Sequence, residues 1–178
     1  RITDEYAPFF EKVSPNYGLL VERNDRYLRW RYLACPDGVH RIYALRRWGK
    51  LVGWGVFRRK GEVLAWGDAL FDPAQVVALG FFLSEVIRCE NETGALTEMG
   101  AEPGAGPTEP AGRKVIGRIE AWFSPNPAWW TQLLGSIGFT LEPEPYNLFP
   151  CIKRFSDDFD MQILGAQWYY TWGDSDLF

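Results

Sequence analysis

Apolar positions along this chain change period several times, and the changes mark its elements. Between positions 41 and 71 the sequence carries short runs rich in β-branched and aromatic residues, broken at glycine-centred turns. These runs predict three strands, 41–47, 51–58 and 63–71, with turns at Trp48-Gly49-Lys50 and Lys60-Gly61. Asp72-Pro73 then stops the third strand and a helical period begins. Val76, Val77, Leu79, Phe82, Leu83, Val86 and Ile87 form an apolar face over residues 73–91, so this helix should lie buried on the sheet. Asp72 is placed to cap it, Pro73 occupies the first position, where its missing N–H costs nothing, and Gln75 falls at the capping-box position.

The rest of the chain reads in shorter pieces. Residues 3–12 and 24–33 fit helices, capped by Thr3 or Asp4 and by Asn24 or Asp25. Residues 94–112 hold Gly, Pro, Ala, Thr and Glu with almost no bulky apolar side chain, which predicts a mobile surface loop. A strand over 114–123 follows, then a helix over 128–137 closed by Gly138, then strands from Thr140 onward and over 148–155, and an acidic, aromatic tail.

Composition narrows the class. The chain has 178 residues, enough for one domain with a sizeable core. No run of 18 apolar residues exists, so no membrane span is expected. It opens on Arg1 rather than Met, with no charged-then-apolar leader, which reads as a domain of a longer protein. Cys35, Cys89 and Cys151 are odd in number and widely spaced, as expected of free thiols in a cytoplasmic protein. With the single His40 and no paired cysteines, no zinc site is expected. The formal net charge of −4 hides an asymmetry. Residues 1–60 hold 13 of the 19 Lys and Arg against 6 acids, while the remainder is strongly acidic. The basic half can meet an anionic ligand or pair with the acidic half across the fold. No dense basic run or reader motif points to nucleic acid.

Three antiparallel strands feeding a helix resemble the front half of the sheet of the GNAT acyltransferase superfamily. The turn Gly49-Lys50-Leu51-Val52-Gly53 resembles that superfamily's G-x-L-V-G entry to its second meander strand. Asn126-Pro127-Ala128-Trp129-Trp130 through Gly138-Phe139 is similar to its Asn at a strand end, short amphipathic helix and Gly-Phe return. The resemblance implies a single α/β (α+β) domain over 1–178, a GNAT-like mixed, mostly antiparallel twisted sheet flanked by helices. It implies an acyl-CoA-dependent N-acyltransferase, or the C-terminal domain of one, with acetyl-CoA or another acyl-CoA lying in a V-shaped gap between two strands. Arg29-Trp30-Arg31-Tyr32 and Trp168 through Gly173-Asp174-Ser175-Asp176 resemble the C-terminal half of GNAT-like proteins of bacterial polysaccharide and envelope clusters, some of which carry two such halves.

The resemblance assigns candidate residues. A strand-end backbone N–H near Asp68–Leu70, with Ala69 and Leu70 as the candidates, would polarise the acyl carbonyl, and Asn126 lies at the facing strand end. The pyrophosphate segment would be Gln75 to Gly80, with Ala78 standing where the superfamily has its first glycine, and with Asp72 beside it opposing a phosphate. The alternative for this segment is an ordinary capped helix. Asp174 and Asp176 could hold an amine substrate or act as a base, or form a turn that satisfies its own amides. The partners implied are a small-molecule amine acceptor or a second GNAT-like half. Two further readings stand beside transfer of an acyl group from CoA: a catalytically silent GNAT-like domain with a supporting or ligand-binding role, and aminoacyl transfer. Cys35 and His40 flank a Pro-Asp-Gly turn and nothing in the sequence orients them as nucleophile and base.

Overall fold

The structure is a computed structural model, and it describes residues 2–36, 39–98, 115–143, 161–175 and 178. In chain order the elements are α1 (Tyr6–Val13), β1 (Leu19–Leu20), α2 (Asp25–Leu28), β2 (His40–Arg47), β3 (Lys50–Lys60), β4 (Val63–Phe71), α3 (Leu79–Glu98), β5 (Arg118–Ala121), α4 (Ala128–Ser136), α5 (Met161–Gln167) and β6 (Trp168–Tyr169). The fold is mixed α/β, with a four-stranded sheet in the order β2-β3-β4-β5 flanked by helices. The first three strands are antiparallel and β5 runs parallel to β4. A separate parallel pair joins β1 to β6.

The three-strand meander lies where the apolar pattern puts it. Trp48 and Gly49 both take positive φ, 53° and 75°, as the tight turn matching strand twist requires. The ladder between β3 and β4 skips Gly67, since Val56 pairs with Asp68 and Phe57 with Trp66. This bulge changes the direction of β4 halfway along its length. On one sheet face Phe57 stacks on Trp66 at 5.5 Å, and Phe71 lies between Phe82 of α3 and Trp130 of α4. Gly53 and Gly55 leave room for these rings: a Cβ at Gly53 would stand 2.1 Å from the Phe71 ring.

Element ends depart from the sequence pattern for local reasons. The helix expected over 73–91 opens as a 3₁₀ turn, Pro73–Ala78, where adjacent β-branched Val76 and Val77 resist regular α geometry. Asp72 caps it by accepting the Ala74 N–H at 2.9 Å. Gln75 does not close a capping box; its carboxamide accepts Arg47 Nη1 at 2.6 Å. Residues 94–98, expected to begin a loop, continue α3. The remainder of that loop lies outside the described residues, as does the strand expected over 148–155. Residues 140–143 carry no strand. The helix expected over 24–33 is capped as predicted, with Asn24 Oδ1 accepting the Tyr27 N–H at 2.9 Å, but widens into a π turn over Arg29–Leu33. α1 starts later than expected, and Glu5 at its head pairs with Arg46 of β2. Arg46, then Thr3, pull the Glu5 carboxyl down to about 2.

Two further contacts tie helices to the sheet. Glu90 of α3, buried, accepts Tyr43 Oη at 2.6 Å and Arg41 Nη1 at 2.8 Å from β2. Gly138, at φ 100°, ends α4 as the sequence predicts, and Phe139 packs on the core. Among the described residues no helix is long and apolar enough to cross a membrane.

Gly53→Ala tests how firmly the aromatic layer is locked. The added methyl should cost about 1–3 kcal/mol, because the Phe71 ring is held on both sides and cannot yield. Thermal melting reads this as a drop of several degrees, and an unchanged midpoint would show the layer to be loose.

Candidate functional site

The parallel ladder between β4 and β5 is short. Val63 to Trp66 pair with Arg118 to Ala121, and there the pairing ends. β4 runs on through the Gly67 bulge to Phe71, so a gap opens beside its second half. Ala69 and Phe71, two residues apart, present their backbone groups to this gap. A strand edge of this kind, left bare, would bury unsatisfied N–H and C=O groups.

Side chains from distant segments answer those groups. Tyr17, on the loop after α1, accepts the Phe71 N–H at 2.8 Å and donates to the Phe71 carbonyl at 2.9 Å. Tyr169 of β6 donates to the Ala69 carbonyl at 3.0 Å. The Ala69 N–H goes to the Asp68 carboxylate at 2.9 Å. Tyr17 and Tyr169 contact each other at 4.8 Å between ring centroids, and Trp129 of α4 closes over Tyr17 while donating its indole N–H to the Asn16 carbonyl at 3.0 Å. The far wall is the continuation of β5: Trp122 and Ser124 bond to Trp172 and Tyr170 of the C-terminal segment.

Beneath the gap lies a buried ionic cluster. Arg23 and Asp68 are both fully buried and meet at 2.9 Å, while a second nitrogen of Arg23 reaches Asp174 at 2.5 Å. Asp68 also accepts Tyr32 Oη at 2.7 Å and Thr171 Oγ1 at 3.2 Å. Burial, opposed by the neighbouring Arg23 and reinforced by Asp174, pushes the Asp68 carboxyl above its ordinary value. Burial likewise raises the phenols of Tyr17, Tyr32 and Tyr169. Tyr32 is thus the phenol that donates to Asp68, while Tyr17 and Tyr169 spend their hydroxyls on the β4 backbone.

The candidates from sequence fall in different places. Ala69 stands on the gap edge, whereas the Leu70 side chain is buried in the core. Gln75, Ala78 and Gly80 lie on the 3₁₀ turn and first turn of α3, and Gln75 is held by Arg47 of the β2–β3 hairpin. Asn126 lies past the end of β5 and donates to the Gly165 carbonyl at 3.1 Å. Asp174 joins the buried cluster and completes a capping box with Thr171, so it combines its own turn with a partner in Arg23. Asp176 and Cys151 lie outside the described residues. Cys35 and Cys89 are free thiols, and the His40 ring packs against Tyr32 and Phe178. Among the described residues no group of three or more His, Cys, Asp or Glu could hold a metal.

Tyr17 and Arg23 do not emerge from the motifs, and Asp68 and Tyr169 fall inside segments the motifs mark without their side chains being given a role. Asp68 did leave a signal, as the one charged residue within the apolar run 63–71. No protein-family model matches the chain, and no curated protein or solved structure matches it.

Arg23→Met should destabilise the chain by about 3–5 kcal/mol at neutral pH, because it leaves the buried Asp68 carboxylate and the half-buried Asp174 without their cation. The pH dependence has a definite sign. An acid whose folded pKa is raised favours the fold most below its unfolded value and loses that contribution as pH rises through the folded one. Asp68 is already raised and should rise further without Arg23, so the deficit should be smallest in acid and grow toward neutrality. Chemical denaturation of both proteins across this range checks it; a deficit that shrinks as pH rises would refute the arrangement.

Proposed function

We propose that this chain is a GNAT-like acyltransferase domain, an acyl-CoA-dependent N-acyltransferase or the C-terminal half of one, with the β4–β5 gap as its acyl groove. The observation that carries this reading is the parallel ladder that stops at Trp66 and Ala121 while β4 runs on to Phe71. Such a divergence creates an edge of backbone donors and acceptors, which is what a thioester and its amide-bearing arm need for positioning. The Pro73–Ala78 turn leads from β4 into α3, and α4 packs its Trp130 against Phe71 and against Phe123 of the far wall. An acceptor amine or a second GNAT-like half is the partner this reading implies.

The groove does not fit an acyl-CoA as the side chains stand. Tyr17 holds both backbone groups of Phe71, and Tyr169 holds the Ala69 carbonyl. Admission of an acyl group requires Tyr17 to withdraw. The freed Phe71 N–H would then be the donor facing a carbonyl oxygen in the gap. A specific observation favours the second reading, a silent GNAT-like domain with a supporting role. Asp72 takes the Ala74 N–H at the head of the Pro73–Ala78 turn, which puts a carboxylate where this reading needs to hold phosphate.

Calorimetric titration with acetyl-CoA and longer acyl-CoAs separates the readings. On the acyltransferase reading Tyr17→Ala should bind acyl-CoA more tightly than the unaltered chain, although it melts lower. A ligand at 100 times its Kd should also raise stability by about 2.7 kcal/mol. Absence of heat and of a thermal shift in both proteins would sink the acyltransferase reading in favour of the silent domain.

A further inference from the structure

The tip of the β2–β3 hairpin is built against its own stability. Arg47 and Lys50 are register partners, so two like charges face each other where an opposite pair would stabilise the turn. Between them Trp48 holds a positive φ of 53°, a backbone region that bulky side chains avoid, with its indole 89% exposed. Asparagine or glycine at this position would form the same turn without strain and without an exposed ring. Costs of this kind, concentrated at one spot, point to a function there.

Against this tip lies a cleft of about 720 Å³, within the size range of small-ligand sites. Phe9, Leu51 and Val52 are buried along it, and Lys12, Arg47, Trp48 and Lys50 are its exposed cations and ring. Both carboxylates in its lining are already matched, Glu5 with Arg46 and Asp72 with Lys12. Among the described residues Arg47 meets the neutral Gln75 carboxamide in this cleft and no carboxylate. The rim therefore carries excess positive charge beside an exposed indole.

We infer that this cleft binds a nucleoside diphosphate, with Arg47 and Lys50 on the phosphates and Trp48 stacked on the base. Paired cations recognise phosphate oxygens by charge-assisted hydrogen bonds, and an exposed indole offers a stacking surface to any base. The cleft lies at the end of the sheet where β3 starts and β4 stops, and its wall reaches Asp72 and Gln75; the roles given to Arg47, Trp48 and Lys50 stand whether or not the β4–β5 gap transfers acyl groups.

ADP titrated into the intact chain by calorimetry tests it, with thermal melts of each variant alongside. Unaltered protein should bind ADP in the micromolar range, and inorganic pyrophosphate should compete. Trp48→Gly should weaken ADP binding about tenfold or more, yet melt higher, because glycine adopts the positive φ freely. Lys50→Glu should also lose ADP while gaining stability, since it turns a like-charge pair into an opposite one. Failure of ADP to bind at millimolar concentration, or equal binding to Trp48→Gly, would overturn the assignment.

Discussion

One guanidinium organises this molecule. Arg23 comes from the loop after β1, Asp68 from the middle of the central strand, and Asp174 from the C-terminal turn. Burying Arg23 and Asp68, with Asp174 half-buried beside them, is costly, and the cost is offset only when every polar atom finds a partner. Here the guanidinium reaches Asp68, Asp174, Thr171 and the Val21 carbonyl, while Asp68 receives donors from four residues. The cluster fixes where the C-terminal segment lies, and hence what fills the space beside β4.

That space exists because of a bulge and a short partner. Gly67 drops out of the ladder with β3 just where pairing with β5 ends. A Cβ at Gly67 would stand 2.2 Å from the Phe178 ring, so the bulge also admits the last residue of the chain. Past this point β4 has no strand on its β5 side among the described residues, and its backbone is satisfied by phenols and a carboxylate. Hydroxyl groups suit this task because one oxygen can both accept and donate, as Tyr17 does at Phe71. The aromatic layer of Trp66, Phe71, Phe123 and Trp130 then seals the gap from the other face.

Much of the scaffold was legible in the sequence because it rests on local signals. The meander shows in its apolar runs and in Gly49 and Gly61, and the caps at Asn24 and Asp72 show in residue type alone. Gly138 marks the end of α4 for the same reason. The cluster was not legible, because Arg23 and Asp174 are 151 positions apart and no periodicity joins them. Tyr17 and Tyr169 read as two aromatic residues among many; only the fold sets them beside Ala69 and Phe71. Gln75 was legible as a capping residue and the structure gives it to Arg47, because the hairpin tip stands close enough to compete.

The central claim is that the second half of β4 is sealed by side chains where no strand pairs with it. Native-state hydrogen exchange of the Ala69 and Phe71 amides tests it most directly. Both protons are held by buried acceptors, Asp68 and Tyr17, so they should exchange only with the global opening of the fold, as slowly as the Leu64 and Trp66 amides in the paired part of the strand. Exchange of Phe71 and Ala69 on the scale of a fraying edge, while Leu64 and Trp66 stay protected, would contradict the account.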